Sequence, residues 1–204
     1  MLPLDLQDQP TVAGAIASGM FYRFSVQEYQ HLCTGGFFPP ETRTELIEGA
    51  IVAMSPIGTN HAACVNSLTK LLILAVMDQA IVSVQNSVQF PNSQPQPDLA
   101  LLKPRADQYR HQHPQPVDCW LLIEVADSTV RYDRTVKGLL YAQNGIPEFW
   151  LVNLEAGQLE IYRDPSPEGY QTKLTRSPQG LIAPQQFPQA EIPLGNLLLK
   201  IDEN

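Results

Sequence analysis

Two carboxylates stand at the ends of two apolar segments of the chain. Asp98 opens the segment that runs to Leu102, and Glu124 stands near the end of the segment Val117 to Val125. If these segments pair as antiparallel strands, the start of the first lies beside the end of the second, so Asp98 and Glu124 meet at one edge of the sheet. Magnesium binds through one or two protein carboxylates, water and substrate phosphate oxygens. The pair therefore suffices for the metal site of a phosphodiesterase.

A helix is predicted directly after the Glu124 strand. It runs from Thr129 to Gln143 and ends at Asn144-Gly145, which is typical of a helix C-terminus. Asp133 and Lys137 are four residues apart, so they share one face of this helix and can pair. A lysine beside a metal site can orient a nucleophile or stabilise charge that develops on phosphate oxygens. The alternative is that Lys137 has no functional role and is a solvated side chain on the helix surface.

Both carboxylates also have structural alternatives. Asp98 follows a proline, where an aspartate commonly forms a turn by accepting hydrogen bonds from local backbone amides. Glu124 lies within the apolar run Leu121 to Val125, where an unpaired charge is costly to bury. It needs a metal, a cation or an opening to solvent, so Glu124 is the sharper indication of a functional site.

The order of the elements predicts an α/β fold with a mixed sheet flanked by helices. Helices are predicted after the capping residue Ser25, after a cap at Thr59 or Asn60, and at Thr129. The predicted strands are Thr44 to Ile47, Ala50 to Met54, Ile81 to Val84, Val88 to Phe90, the Asp98 and Glu124 strands, Phe149 to Val152 and Leu159 to Tyr162. The alternation in the last of these indicates an exposed edge strand.

The length of 204 residues, 44% of them apolar, fits one domain with a small appendage. We expect a flexible tail at 1–20, an α/β core at 21–165, and a C-terminal β-meander at 166–204 that packs on the core. Its strand-like pieces are Gln171 to Thr175, Leu181-Ile182 and Leu197 to Ile201. Many prolines break them, so we expect them to cover a sheet edge.

Composition limits the partners and the compartment. The tail lacks the features of a signal peptide, and the longest apolar segment, Leu71 to Met77, is too short for a bilayer, so no membrane partner is predicted. The three cysteines, Cys33, Cys64 and Cys119, lie in apolar stretches and predict buried thiols in a reducing cytoplasm. His111 and His113 lack partners at zinc spacing and are expected to face solvent.

The charge of the chain is the main argument against a nuclease. The net charge of -8 opposes tight non-specific binding to DNA, because phosphate neutralisation needs surplus lysine and arginine. Local basic residues can still form one positive face on an acidic molecule. They are Lys103, Arg105, Arg110, Arg131, Arg134 and Lys137.

A series of ordered motifs runs from about Phe24 to Tyr162. The motifs are Glu45-Leu46-Ile47-Glu48-Gly49, Met54-Ser55-Pro56, His61, Pro97-Asp98-Leu99, Ile123-Glu124-Val125 with Ser128-Thr129, Tyr132-Asp133-Arg134 with Lys137, and Gly145-Ile146-Pro147-Glu148-Phe149-Trp150-Leu151-Val152. Together they resemble the Uma-two family, whose members are restriction-endonuclease-like proteins of the PD-(D/E)XK superfamily. The resemblance implies a restriction-endonuclease-like fold, a nuclease that uses Mg²⁺ or Mn²⁺ on DNA, and a homodimer.

The resemblance also assigns roles to individual residues. It implies that Asp98 and Glu124 hold the metal, that Lys137 is the catalytic lysine, and that Glu45 supports them. The superfamily lysine normally stands two residues after the glutamate, where this chain has Ala126, so the family supplies it from the following helix. A further departure is Asp127, which stands where the family has a proline and adds a carboxylate beside the metal.

Three further assignments complete the predicted site. The backbone carbonyl of Val125 is a candidate third metal ligand. His61, at the start of a helix, is a candidate general base or ligand, with a first-turn polar residue as the alternative. Asp133 is either a supporting residue or only the helix partner of Lys137.

Two hypotheses follow from these observations. The first is a metal-dependent endonuclease, which is favoured by the joint presence of Asp98, Glu124 and Lys137. The second is a catalytically silent module that uses the same fold for protein association or nucleic-acid binding. The acidic charge and the altered loop at Ala126-Asp127 favour the second hypothesis.

Overall fold

A computed structural model describes residues 21–195 of the chain. Its helices are α1 (Val26–Thr34), α2 (Thr59–Val76), α3 (Val130–Tyr132) and α4 (Gly138–Gln143), and a π-helical turn (Asp133–Lys137) joins the last two without a break. Its strands are β1 (Thr44–Ile47), β2 (Ala50–Ala53), β3 (Ile81–Val84), β4 (Leu99–Leu102), β5 (Cys119–Ala126), β6 (Glu148–Asn153), β7 (Gln158–Ser166), β8 (Gly169–Arg176), β9 (Leu181–Ile182) and β10 (Ile192–Pro193).

Six of these strands form the central sheet, in the order β3-β4-β5-β6-β7-β8. The pair β5 and β6 is parallel, and the other neighbours are antiparallel. The parallel pair needs a crossover connection, which is supplied by α3, the π turn and α4. The sheet is therefore mixed and flanked by helices, which confirms the predicted α/β class.

Side-chain alternation along β5 divides the core into two layers. Leu121, Ile123 and Val125 face α2, whose buried positions include Leu68 and Leu72. Leu122, Glu124 and Ala126 point the other way, toward α4. That second layer contains Leu140, Tyr141 and Phe149. Glu124 is thus a charged residue in an apolar row, and strand periodicity alone directs it toward the helix that carries Lys137.

The β1–β2 hairpin lies beside the central sheet and is joined to it by a bridge. Leu46 and Gln94 exchange backbone hydrogen bonds of 3.4 and 2.7 Å. The tight turn uses Glu48 and Gly49, with φ of 47° and 79°. A Cβ on Gly49 would lie 2.7 Å from Cβ of Arg23, so this close approach requires glycine. The predicted hairpin is confirmed, and it carries Glu45 toward the ends of β4 and β5.

Two local predictions are wrong. The N-cap of α2 is Gly58 and has no side-chain capping bond, so neither Thr59 nor Asn60 serves as the cap. The segment Val88 to Phe90 forms no strand, because its backbone amides bond to the scattered carbonyls of Pro95, Pro114 and Ser93 instead of to a neighbouring strand. Val88 and Phe90 are nevertheless buried, which explains their apolar character.

The far end of the sheet also differs from the prediction. β7 is not an exposed edge, because it lies between β6 and β8. Its polar residue Glu160 is buried and forms ion pairs. A charged residue between apolar ones gives the same alternating sequence pattern as a strand with one face exposed. The predicted strand-like piece Gln171 to Thr175 is confirmed, because it belongs to β8, which covers the edge of β7 and is itself one of the two edge strands of the central sheet.

The last described segment packs against the α2 layer. β9 and β10 pair with each other, and Ile182, Phe187 and Ile192 join the core beside α2. The ring of Phe187 contacts Trp120 edge to face, with 5.0 Å between centroids. These residues cover a face and not an edge of the sheet. Residues 1–20 and the predicted strand Leu197 to Ile201 lie outside the described residues, and the division of the chain at residue 165 stays a prediction.

The structure places two of the three cysteines in the protein interior. Cys64 and Cys119 are buried, but Cys33 is exposed, so the prediction of three buried thiols is wrong at that position.

By length and composition, the segment Thr59–Gln79 is apolar enough to cross a membrane. One such helix is weak evidence, because a core helix passes the same test, and the buried face of α2 packs on the sheet. The predicted cytoplasmic location and the predicted absence of a membrane partner stay predictions.

An ion cluster around Glu160 fixes the π turn to the sheet. Arg134 in the turn donates to both carboxylate oxygens of Glu160, at 3.0 and 2.6 Å. Lys173 on β8 lies 2.9 Å from the same carboxylate, and the hydroxyl of Tyr162 donates to it. Burial opposes the charge of Glu160, but these partners outweigh it and lower its pKa to about 2.

We expect Leu68→Ala to lower the free energy of unfolding by about 2–5 kcal/mol, because it removes methylene groups from a filled core and leaves a cavity. Leu68 is 1% exposed, whereas Leu74 on the same helix is 65% exposed. Leu74→Ala is therefore the matched control and should change stability by less than about 0.5 kcal/mol. Urea unfolding of both variants measures the difference. Equal effects would contradict the described packing of α2.

We also expect Glu160→Gln to flatten the acid limb of the stability profile. The folded pKa of about 2 lies below the ordinary value of 4.5, so the stabilisation by Glu160 is complete above pH 4.5 and is lost as pH falls toward 2. Urea unfolding between pH 5 and pH 3 should show a shallower decline for Glu160→Gln than for the unsubstituted chain. The control is Glu155→Gln in the exposed β6–β7 turn, which should keep the original slope. An unchanged slope in Glu160→Gln would refute the ion cluster.

Candidate active site

The structure brings Asp98 and Glu124 together at the ends of adjacent strands. Leu99 pairs with Ile123, so the residue before β4 lies beside the end of β5. Oδ2 of Asp98 accepts a hydrogen bond of 2.9 Å from the backbone N–H of Val125. The two residues are 8% and 3% exposed. The antiparallel pairing predicted from the sequence is therefore correct.

Lys137 is a buried cation among carboxylates, and not a solvated helix residue. Its Nζ lies 3.2 Å from Oε1 of Glu124, 3.2 Å from Oε2 of Glu45 and 3.9 Å from Oδ1 of Asp133. The residue is only 4% exposed. The three carboxylates come from β5, β1 and the π turn, so Lys137 ties three parts of the chain to one point.

The π turn explains how one helical segment directs three side chains at this point. In a regular α-helix, the side chains of residues four apart are offset by about 40° around the helix axis, and the offset adds up over successive fours. The N–H of Gly138 bonds to the carbonyl of Asp133, five residues back, which widens this turn and compensates for the offset. Asp133, Lys137 and Tyr141 therefore keep a common direction. The Tyr141 hydroxyl donates to Oε1 of Glu124, the atom that also contacts Lys137.

Glu45 enters the cluster from the hairpin and is 2% exposed. Its Oε2 accepts a hydrogen bond of 3.2 Å from the backbone N–H of Gln96, in the segment that leads to Asp98. The hydroxyl of Tyr132 lies 3.5 Å from its other oxygen. Glu48, in the hairpin turn, is exposed and lies outside the cluster.

His61 reaches the cluster from the first turn of α2. Its Nε2 lies 3.0 Å from Oδ2 of Asp98, and Gln85 Nε2 donates to Oδ1 of the same carboxylate at 3.2 Å. The Nδ1 atom of His61 is buried and has no hydrogen-bond partner among residues 21–195. Asp98 is thus held from three sides by His61, Gln85 and the Val125 amide.

The environments of the two carboxylates separate their pKa values. Burial raises the pKa of Glu124 well above its usual range, against the attraction of Lys137. Burial also works against the charge of Asp98, but the hydrogen bonds from His61, Val125 and Gln85 outweigh it, so its pKa is lowered. Two carboxylates whose pKa values move in opposite directions are typical of sites that assign them different chemical roles.

The other charged groups follow the same logic. Burial raises the pKa of Asp133, and the hydrogen bond to Asp98 raises that of His61. Burial opposes the charge of Lys137, but Glu124, Glu45 and Asp133 outweigh it and keep the pKa of the ammonium group above its ordinary value. Lys137 is therefore a permanent positive charge at neutral pH.

These side chains line one cavity of about 360 Å³. Its floor contains the carboxylates and Lys137, and its walls come from β2, the loop 54–58, the first turn of α2 and the loop 127–129. Asp127 faces this cavity, in agreement with the predicted additional carboxylate. His111 and His113 are exposed and do not line it, and Trp150 is fully buried in the core.

The donor set fits a hard divalent cation that is shared with a substrate. Within residues 21–195, no three His, Cys, Asp or Glu side chains converge closely enough to hold a metal by themselves. Magnesium does not require such a cage, because it is commonly held by one or two carboxylates while water and phosphate oxygens complete its shell. Asp98 and Glu124 supply that minimum on the floor of a cavity with room for a phosphate group.

Sequence reasoning missed several contributors to the cluster. Tyr141 stands four residues after Lys137 on the predicted helix, so its spacing was a usable signal. Gln85 and Gln96 act through an amide side chain and a backbone N–H, which no residue pattern marks. Arg43 lines the cavity and donates to Oε1 of Gln96 at 2.7 Å. It precedes β1 and carries no motif of its own.

Comparison with known proteins supports a nuclease-like fold. A crystal structure of a "putative nuclease belonging to DUF820" from Anabaena variabilis superposes with a TM-score of 0.69 at 17% sequence identity, over 86% of this chain and 97% of that one. At this identity the likeness concerns the fold, which is restriction-endonuclease-like as predicted. No curated protein matches the sequence.

The family comparison covers nearly all of the described chain. The model of the Uma2 family, described as "Putative restriction endonuclease", matches residues 26–195. That range includes every residue of the buried cluster, from Glu45 on the hairpin to Tyr141 on α4. The chain belongs to the Uma2 family of restriction-endonuclease-like proteins.

Proposed function

We propose that the chain is a metal-dependent nuclease that hydrolyses phosphodiester bonds of DNA. One observation carries this proposal: Lys137 is buried against Glu124, and Asp98 lies beside them on the same cavity. The family and the fold of the similar crystal structure point to the same class of protein.

The charge balance of the cluster separates it from the structural ion pairs of this protein. Glu148 is paired with Arg163, and Glu160 with Arg134 and Lys173, so each of these buried carboxylates has at least one cation of its own. The cavity cluster instead holds four carboxylates, those of Glu45, Asp98, Glu124 and Asp133, around Lys137 and the titratable His61. Buried carboxylates in excess of their cations either retain protons, in line with the raised pKa values of Glu124 and Asp133, or are neutralised by a further cation. A divalent metal ion between Asp98 and Glu124 would supply that cation.

Asp98, Glu124 and the Val125 carbonyl are the proposed metal ligands. The N–H of Val125 points to Asp98, and the N–H and C=O of one strand residue point to the same side, so the carbonyl is directed to the same place. A bound magnesium or manganese ion would polarise the phosphate and lower the pKa of its water.

The other residues act by position and charge. Lys137 supplies a fixed positive charge that can stabilise the phosphate oxygens as negative charge develops on them. Tyr141 and Lys137 together fix Oε1 of Glu124, and Glu45 and Asp133 hold Lys137 in place. His61 can accept a proton from the attacking water, although its bond to Asp98 must shift for Nε2 to do so.

The catalytically silent module remains the second candidate. The net charge of -8 favours it, because general affinity for DNA needs positive surface. Homodimer formation, which either function accommodates, stays a prediction. The two candidates differ in one measurable property. A nuclease cleaves DNA and loses that activity when a single carboxylate is neutralised, whereas a silent module shows no cleavage that depends on the carboxylate.

We expect Glu124→Gln to reduce cleavage by roughly 10²- to 10³-fold, the usual cost of removing one group from a preorganised electrostatic site. Glutamine keeps the shape and can still accept from Tyr141, so the fold should persist. The measurement is nicking of supercoiled plasmid and cleavage of oligonucleotides with magnesium or manganese. The exposed variant Glu155→Gln is the control and should retain full activity. Identical cleavage by Glu124→Gln and the unsubstituted chain at every metal concentration would contradict the proposal.

We expect Lys137→Met to lower stability by about 3–5 kcal/mol near pH 8, because it leaves buried carboxylates without their cation. Such carboxyls have folded pKa values above the unfolded value, so stability falls as pH rises between the two. The deficit relative to the unsubstituted chain should therefore be smaller at pH 5. Urea unfolding with a chelator at both pH values tests this, with the exposed Lys70→Met as control. A deficit independent of pH would contradict the uncompensated charge.

A further inference from the structure

The proposed catalytic groups lie at the bottom of a half-open pocket. Glu124, Asp133 and Lys137 are 3%, 4% and 4% exposed. The residues above them, in the loop 55–58, are exposed, and Ile57 at the rim is 44% exposed. A scissile phosphate must therefore pass this rim to reach Glu124.

A stiff duplex is a poor fit to such a pocket. DNA duplexes have a persistence length of about 150 base pairs, and pushing one phosphate inward requires deforming its paired and stacked neighbours. An unpaired strand bends freely, and a nucleotide that leaves the stack can enter a confined site. The cavity of about 360 Å³ is at the small end of pockets that enclose small organic ligands, which suits one nucleotide unit.

The charges on the cavity wall indicate which residue can hold a phosphate. Among the residues that line this cavity, the arginines and lysines are Arg43 and Lys137, and Lys137 is already surrounded by carboxylates. Arg43 is half-buried and is oriented by its bond to Gln96, so it is the residue available to a phosphate.

The wall also offers a surface for a base. Tyr132 lines the cavity and is partly exposed, and its hydroxyl is directed toward Glu45. Met54 and Ile57 add apolar surface to the same cavity. Aromatic side chains that stack on successive bases are the usual way in which proteins hold single strands without reading sequence.

We propose that the substrate is an unpaired DNA strand, one nucleotide of which enters the cavity with its base against Tyr132 and a phosphate on Arg43. This inference rests on the proposed nuclease function for the cleavage step. It does not require the cleavage step for binding.

Binding and cleavage are tested separately on three probes: a labelled single-stranded oligonucleotide, its matched duplex, and the duplex with a central unpaired bubble. Fluorescence anisotropy with calcium in place of magnesium should give at least about tenfold tighter binding of the single strand and the bubble. Magnesium should then give faster cleavage of the same two probes. Equal or tighter binding of the matched duplex overturns the inference. A binding preference without cleavage overturns the nuclease function and leaves the substrate class standing.

Variants of the cavity wall test the two contacts. Loss of one stacked base corresponds to roughly fivefold to hundredfold weaker binding, so Tyr132→Leu should weaken single-strand binding by that factor and Tyr132→Phe should restore it. Arg43→Gln should reduce the slope of log affinity against log salt by about 0.7. The exposed Arg110→Gln is the control for lost charge. Unchanged affinity in both Tyr132→Leu and Arg43→Gln, or equal slopes in Arg43→Gln and Arg110→Gln, overturns the assigned contacts.

Discussion

The burial of one ammonium group among carboxylates is the constraint on which this structure depends. Lys137 contacts Glu45, Glu124 and Asp133 at once, and it is itself nearly removed from solvent. An uncompensated charge at this depth would cost several kcal/mol, so the partners must arrive together. The hairpin, β5 and the π turn are consequently fixed relative to one another by this contact as well as by apolar packing.

The π turn meets this requirement within a single crossover. Lys137 and Asp133 face the cavity on one side, while Arg134 reaches Glu160 on the sheet from the same turn. Gly138 lets the turn approach Phe149, since a Cβ there would lie 3.3 Å from the ring. This local distortion interrupts the regular helix, but it provides two anchors and a common direction for Asp133, Lys137 and Tyr141.

The sequence predicts the parts of the site that obey strand and helix periodicity. Antiparallel pairing placed Asp98 beside Glu124, and the spacing of Asp133 and Lys137 placed them on one helix face. The prediction failed where contacts depend on tertiary structure: Glu160 resembles a residue of an exposed edge only until Arg134 is known to cover it. The extent of burial of Lys137 and the roles of Gln85 and Arg43 are likewise set by elements distant in the chain. Sequence periodicity cannot report such distances.

The β1–β2 hairpin pairs with itself and joins the central sheet through one bridge, yet it carries both Glu45 and the start of the cavity wall. Asp98 and Glu124, the proposed metal ligands, belong to the central sheet, whereas part of the cavity wall belongs to the hairpin and to the loop after it. The loop 54–58 that follows the hairpin can change in length or composition without disturbing the strands that hold Asp98 and Glu124. Divergence in this loop can accordingly alter which molecules enter the cavity while the proposed metal ligands keep their positions.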